Sequence, residues 1–278
     1  MKLGLILAAG TAVVLCAPLA SVAQPPPGAG LSGKAAAPID LTGYWVALVT
    51  EDWRYRMLTA PKGDYYSLPL TPEARKVADT WDAAHDVAQG KQCLAYGAPA
   101  LMRQPARVHI TWENDNTLKV EVDAGKQTRL LAFGPPRQTA EATLQGSSAA
   151  QWQSPQITRF YTSKISARDT DTPGFRGQTP AGEAQPDTRK LGGTLKVVTT
   201  HLKPGYLRNN GVPYSANAVL TEYYDIHRDA GQEYLVITSV VDDPQYLYVP
   251  WVVSNQFRRE ADGSKWNPQP CDLILSSK

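Results

Sequence analysis

Alternation of apolar and polar residues dominates the middle of the chain, and it predicts strands. Between Arg107 and Asp123 a turn at Asn114-Asp115-Asn116 pairs Glu113 with Thr117. Val108, Ile110 and Trp112 then share one face with Val122, Val120 and Leu118. The opposite face sets Arg107 against Asp123, His109 against Glu121 and Thr111 against Lys119. Runs rich in Val, Thr, Tyr and Trp predict further strands at Tyr44–Thr50, Gln127–Phe133, Ile157–Ile165, Thr194–Thr200, Asn217–Ile226, Glu233–Val241 and Trp251–Arg258. One helix is predicted, capped by Thr71, opened by Pro72 and Glu73, and running to about Ala88 before Gly90. Gln138–Gln153 and Ser166–Gly193 are poor in apolar residues and read as loops, the second as a lid or an insertion. Many short antiparallel strands imply an all-β fold. A barrel is preferred to a sandwich because closure removes exposed edges.

The start of the chain bears on where such a barrel works. Lys2 precedes an apolar run, Leu3–Leu19, and Ser21-Val22-Ala23 offers the small-x-small pattern of signal cleavage. Residues 1–23 therefore read as a signal peptide, 24–39 as a flexible Pro/Gly/Ala-rich linker, and 40–278 as a single β-barrel domain. Leu15 argues against a lipoprotein site at Cys16. The run is too short and too rich in Ala and Gly to anchor in a membrane. A periplasmic or secreted location follows, away from ATP, nicotinamide pools and reducing buffer. With Lys2 removed, the formal charge of +2 falls by one. A near-neutral chain without a basic block gives no case for nucleic acid or for a membrane surface. Cys93 and Cys271 remain and are expected to form one disulfide worth about 2–5 kcal/mol.

At Asp40-Leu41-Thr42-Gly43-Tyr44-Trp45 the chain resembles the G-x-W start of lipocalins and other calycins. The resemblance implies an antiparallel calycin-like barrel, here with one inserted helix and long loops. It also implies that Trp45 plugs one barrel end and is covered by a basic residue of the last strand, Arg258 or Arg259. More widely, the chain looks like a group of secreted bacterial proteins. The segments that carry this are Thr50-Glu51-Asp52-Trp53-Arg54, Met102-Arg103, His109-Ile110-Thr111-Trp112, Asp123-Ala124-Gly125, Gln127-Thr128-Arg129-Leu130-Leu131 and Ser264-Lys265-Trp266-Asn267-Pro268. Cofactor-free decarboxylases or lyases of lignin-derived aromatic dimers are similar, and that likeness implies cleavage of a small aromatic compound.

Candidate chemistry concentrates in a few places. His201 leads into a Pro- and Gly-shaped loop that presents Tyr206, Arg208 and Tyr214. Arg208 or Arg103 would grip a carboxylate, with Arg129 and Trp112 as further substrate-binding candidates. His201 or His109 would move a proton, the latter if Glu121 orients it inside the barrel, with Tyr206 or Tyr214 assisting. Glu222 is the candidate buried acid. Each has a plainer reading: His109 on an outer face laced with ion pairs, the tyrosines packed at a rim, Glu222 turned to solvent. In the Thr50–Met57 cluster, Glu51 and Asp52 point to opposite faces of a strand and so make no paired-carboxylate site unless the chain bends; Arg54 and Arg56 share a face, and the cluster reads as structural ion pairing. Gly28–Gly33 spells G-x-G-x-x-G but follows no strand, and no hydrolase elbow, P-loop or metal-spaced histidine motif occurs. No metal and no cofactor is expected. The function expected is a periplasmic, cofactor-independent lyase (a decarboxylase or related carbon–carbon or carbon–oxygen cleaving enzyme) acting on a small aromatic carboxylated or phenolic compound. The alternatives are a lipocalin-like carrier of an apolar molecule, or an envelope interaction module using Ser166–Gly193. The oligomeric state stays open.

Overall fold

The computed structural model describes residues 30–136, 140–153 and 193–273. The strands are β1 (Gly43–Leu48), β2 (Arg107–Asn114), β3 (Thr117–Val122), β4 (Gln127–Phe133), β5 (Ser147–Gln153), β6 (Thr194–Thr200), β7 (Gly205–Arg208), β8 (Val212–Tyr214), β9 (Val219–Asp229), β10 (Gln232–Asp242) and β11 (Trp251–Glu260). Nine of them close a barrel in the order β1-β11-β10-β9-β6-β5-β4-β3-β2, and β7 pairs with β8 apart from it. The fold is an all-β barrel with a small helical insertion. Every neighbouring pair in the barrel is antiparallel except β4 and β5.

Alternation sets the register of the β2–β3 hairpin as expected. Val108 pairs with Val122, His109 with Glu121, Ile110 with Val120 and Trp112 with Leu118, with one irregularity beside Glu113. The strand missing from the expectation is β5. Its Ser-Ser-Ala-Ala opening carries almost no apolar signal, yet the side chains of Ser147, Ser148 and Ala150 are buried. The mouth loop likewise contains a short hairpin, β7–β8, despite Pro213 and Gly211. Strand Ile157–Ile165 and residues 166–192 of the second loop lie outside the described residues, as does the expected signal peptide.

The single expected helix is instead several short ones. Residues between β1 and β2 form α1 (Trp53–Met57), α2 (Pro72–Asp79), α3 (Ala83–Ala88), a 3-10 helix (Gln92–Tyr96) and α4 (Ala98–Leu101). Thr71 caps α2 as expected, accepting from the Ala74 amide at 3.2 Å. Asp82 then caps a new helix by accepting from the Ala84 and His85 amides, which splits the run in two.

The expected hollow is filled. Ile110, Val120, Leu131, Leu195, Val197, Leu235, Ile237 and Phe257 point inward and are fully buried. A side chain with no accessible surface has no water-sized void beside it. One end is sealed by Trp45, whose indole N–H donates to the Leu41 carbonyl at 3.0 Å. Arg259, from the last strand, lies 4.2 Å over the Trp45 ring and donates to the Thr42 carbonyl. This is the cover that the G-x-W resemblance implied. Gly43 is required there: its φ is +120°, and a Cβ would meet the Arg259 guanidinium at 2.6 Å. Leu31–Ile39, expected to be part of a loose linker, docks on this end. The Gly33 amide donates to Asn116 at 2.8 Å, and Trp152 donates to the Gly33 carbonyl at 2.7 Å. The compact unit accordingly starts at Leu31.

The opposite end carries the helices, the β7–β8 hairpin and the C-terminal segment. The Cys93–Cys271 disulfide forms as expected and ties the 3-10 helix to that segment. Tyr96 donates to the Asp272 carbonyl, and Thr59 to that of Leu273.

Candidate functional site: an arginine cluster at the covered barrel end

The sequence-selected residues fall into separate places. His109 lies on the outer face, stacked on Tyr44 at 4.0 Å, edge-on to Trp266, with Nδ1 3.3 Å from Glu121. It is oriented by Glu121, but not inside the barrel, because the buried positions of β2 are its neighbours Val108 and Ile110. His201 is exposed, with a left-handed backbone (φ 57°), just past the end of β6. Tyr206 donates to Asp86 at 2.7 Å, and burial, then Asp86, holds its hydroxyl well above the usual phenol range. Tyr214 is wholly buried beneath Gly97 and Gly205, and burial pushes its hydroxyl up in the same way. Trp112 packs on Phe133 at 5.5 Å, within the plug of the Trp45 end.

Glu222 is buried, as one reading of it required, but its partner is Arg129. Two arginine nitrogens donate to the two carboxylate oxygens at 2.9 and 2.6 Å, and a third bond reaches Thr199. Ser148 in turn bonds Thr199 at 2.8 Å, which explains why β5 needs a small polar residue there. Burial alone would pull the Arg129 guanidinium down, but Glu222 outweighs it and holds it charged. Burial, then Glu222, holds the Tyr224 hydroxyl neutral beside them. This closed, dry ion pair has no route to a substrate.

The structure brings together two of the candidates, Arg103 and Arg208. A third arginine, Arg56, joins them. All three are buried, at 6%, 4% and 3% exposure. Asp52 is the one carboxylate within ion-pair distance of them among the described residues, 3.3 Å from Arg103 and 3.9 Å from Arg208. Arg208 also donates to the Ser67 hydroxyl at 3.0 Å and lies 4.1 Å over the Tyr55 ring. Arg103 stands 4.9 Å over Trp251. Arg56 donates to the Arg103 carbonyl at 2.9 Å, which fixes the two side by side. Outside this group, Arg54 and Tyr55 both bond Asp64, so that carboxylate is occupied.

The charge is not balanced. Three guanidiniums meet one carboxylate that is about one-third exposed. Arg56 Nη2 and Arg208 Nε and Nη1 are buried and find no hydrogen-bond partner among the described residues. Burial, then the neighbouring Arg103, pulls both Arg56 and Arg208 down to about 10, from an ordinary value of 12.5. Burial also lowers Arg103. Unfilled donors on crowded cations favour an incoming anion, which would supply both acceptors and opposite charge. The arginines themselves line a narrow cleft with Tyr55, Gln104, Leu207 and Asn209, while their partners Asp52, Ser67 and Trp251 line, with Glu51 and residues 252–254, a groove of about 420 Å³.

Local backbone builds this site. Asp52 has φ 51° and Ser67 φ 64°, both left-handed, and both side chains face Arg208. Such positions cost on the order of 1 kcal/mol or more in a residue with a Cβ, and they gather where function needs them. The turn at Asp52 starts α1, so Arg56 goes inward where an extended strand had been expected. An Asp ahead of Trp-Arg-Tyr-Arg is a helix-start signal, and it would have revealed Arg56. Among the described residues no His, Cys, Asp and Glu side chains gather as a metal site, and no helix is long and apolar enough to cross a membrane. Compared with models of known protein families, with curated proteins and with solved structures, the chain matches none.

Proposed function

We propose that the protein recognises a small organic carboxylate, with an aromatic or other apolar body, in the groove beside Arg56, Arg103 and Arg208. The observation that carries this is the excess of three buried guanidiniums over one carboxylate, Asp52, which pairs with Arg103 and Arg208 and itself lines the groove. Arg103 and Arg208 take the carboxylate, while Tyr55 and Trp251 back the planar guanidiniums and hold them in place. Titration calorimetry with benzoate and 4-hydroxybenzoate tests it. Binding is expected in the wild type and at least about tenfold weaker in R208A and R103A. Equal affinity in all three proteins would remove the arginines from the site.

Lyase chemistry is the second reading, favoured by the strained Asp52. Its carboxylate stands 3.3 Å from Arg103 at the groove mouth and takes the proton-moving role first considered for His201 and His109. The arginines hold and orient the substrate's acid group, and the substrate's own conjugated system takes up the electron pair left by bond cleavage, so no cofactor is called on. Product formation from aryl carboxylates, abolished in D52N while binding persists, is the expected result. A carrier with its cargo inside the barrel loses support from the filled interior. Export to the periplasm belongs to this proposal. The signal-like first 23 residues and the Cys93–Cys271 disulfide support it, and Trp45 under Arg259 supports a calycin-like ancestry.

A further inference from the structure

We infer that the narrow arginine cleft is a halide site, which holds one chloride ion on the free N–H groups of Arg56 and Arg208. This goes beyond the carboxylate reading, which concerns the groove, and does not depend on it.

Arg56, Arg103 and Arg208 line the cleft, with Tyr55, Ala100 and Leu207 among its walls, and no carboxylate lines it. Part of each guanidinium is already held. Arg56 donates through Nε to the Arg103 carbonyl at 2.9 Å and through Nη1 to the Leu48 carbonyl at 3.5 Å, which leaves Nη2. Arg208 donates through Nη2 to the Ser67 hydroxyl at 3.0 Å, which leaves Nε and Nη1. These three nitrogens are buried and find no partner among the described residues. Burial, then Arg103, lowers both guanidiniums only to about 10, so they stay charged at neutral pH. Asp52 answers one of the three positive charges in the cluster. A water molecule would accept from the free donors and leave the excess charge in place. An anion supplies both acceptor and charge.

Size selects the anion. The cleft leaves about 10 Å³ of free room, close to the roughly 10–15 Å³ that one water-sized guest requires. A carboxylate, phosphate or sulfate group spans several atoms and does not fit whole, whereas a single-atom anion does. Chloride accepts hydrogen bonds and donates none, so it suits a wall of donors and apolar side chains. The Tyr55 ring 4.1 Å from the Arg208 guanidinium, and the Arg103 carbonyl on Arg56, hold the donors in place. A larger halide must push them apart. With Asp52 and one chloride in place, one positive charge remains for a ligand in the groove.

Chlorine nuclear magnetic resonance on the full chain, at constant ionic strength, tests this. The wild type should broaden the chloride line, and the excess width should saturate as chloride is added. Iodide should displace that chloride at least about tenfold less well than chloride itself does. An open basic surface would show no such penalty against the larger ion. R56M and R208M should each weaken chloride binding at least about tenfold. Melting curves check that both variants fold; if either does not, the order of halides in the wild type decides alone. No saturable broadening, iodide bound as tightly as chloride, or broadening that persists in both folded variants would overturn the halide site. The samples contain no carboxylate, so this titration and the one with benzoate succeed or fail separately.

Discussion

Two arginine sites lie at one half of the same barrel, and they solve the burial of charge in opposite ways. Arg129 is paired one to one with Glu222 through two short hydrogen bonds and a third to Thr199. Arg103 and Arg208 share Asp52, and Arg56 and Arg208 keep donors unfilled. The first arrangement is balanced in charge and leaves only Nε of the Arg129 guanidinium without a partner among the described residues, so it serves the fold. The second is incomplete, so it has affinity left for something else. Burial of an arginine therefore says little by itself; the balance of carboxylates against guanidiniums separates the structural ion pair from the candidate binding site.

The comparison breaks most visibly in the core. Arg129→Ala or Glu222→Ala strands an unpaired charge and should cost about 3–5 kcal/mol in denaturant unfolding. Replacing both, as R129M/E222L, should recover most of that loss, because the penalty comes from the unpaired partner rather than from the missing attraction. If the double variant is as unstable as either single one, the pair does more than neutralise itself.

The disulfide sharpens the contrast between the strands and the layer that covers them. C93S/C271S should lower stability by about 2–5 kcal/mol. Hydrogen exchange should quicken first in residues 92–105 and 205–214, which carry Arg103 and Arg208, while β9 and β10 stay protected. Uniform loss of protection would mean that barrel and cover unfold as one.

Arg208→Ala and Arg103→Ala should do the reverse of the core variants. Carboxylate affinity should fall by about 1.5–3 kcal/mol, the worth of charged hydrogen bonds. Stability should change by less than about 1 kcal/mol or rise, since a crowded and partly unsatisfied cation has been removed. A loss of several kcal/mol in thermal unfolding would make the cluster structural. The smallest effect is expected at Ser67. Ser67→Gly relieves a left-handed backbone and should stabilise by up to about 1 kcal/mol, while weakening the ligand through the lost hydroxyl on Arg208.

Much of the barrel was legible because period-two alternation is a local signal. It placed β2, β3 and their register, β4, β6 and the late strands, and the G-x-W resemblance implied Trp45 under Arg258 or Arg259, of which the structure uses Arg259. β5 was illegible because its interior face is built from Ser148 and Ala150, chosen to fit around Arg129 and Thr199 rather than to be apolar. The break between α2 and α3 was legible in principle at Asp82, a capping residue within the expected helix. The site was legible only in pieces. Arg103 and Arg208 each read as a carboxylate grip, but 105 residues separate them, and no local pattern says that they converge. Glu222 and Arg129 read as site residues because polar side chains within strands stand out. Alternation could not show that each is the other's partner. His109 and His201 stood out as titratable groups, yet the turn after β6 and the outer face of β2 keep them from the arginines' groove.

The most direct test is a nuclear magnetic resonance titration that follows the arginine side-chain Nε–H signals as benzoate is added. Signals of Arg56, Arg103 and Arg208 should move together and saturate, while that of Arg129 stays fixed. Groove signals that do not respond, or an Arg129 signal that moves with them, would contradict the division between a closed ion pair and an open anion site.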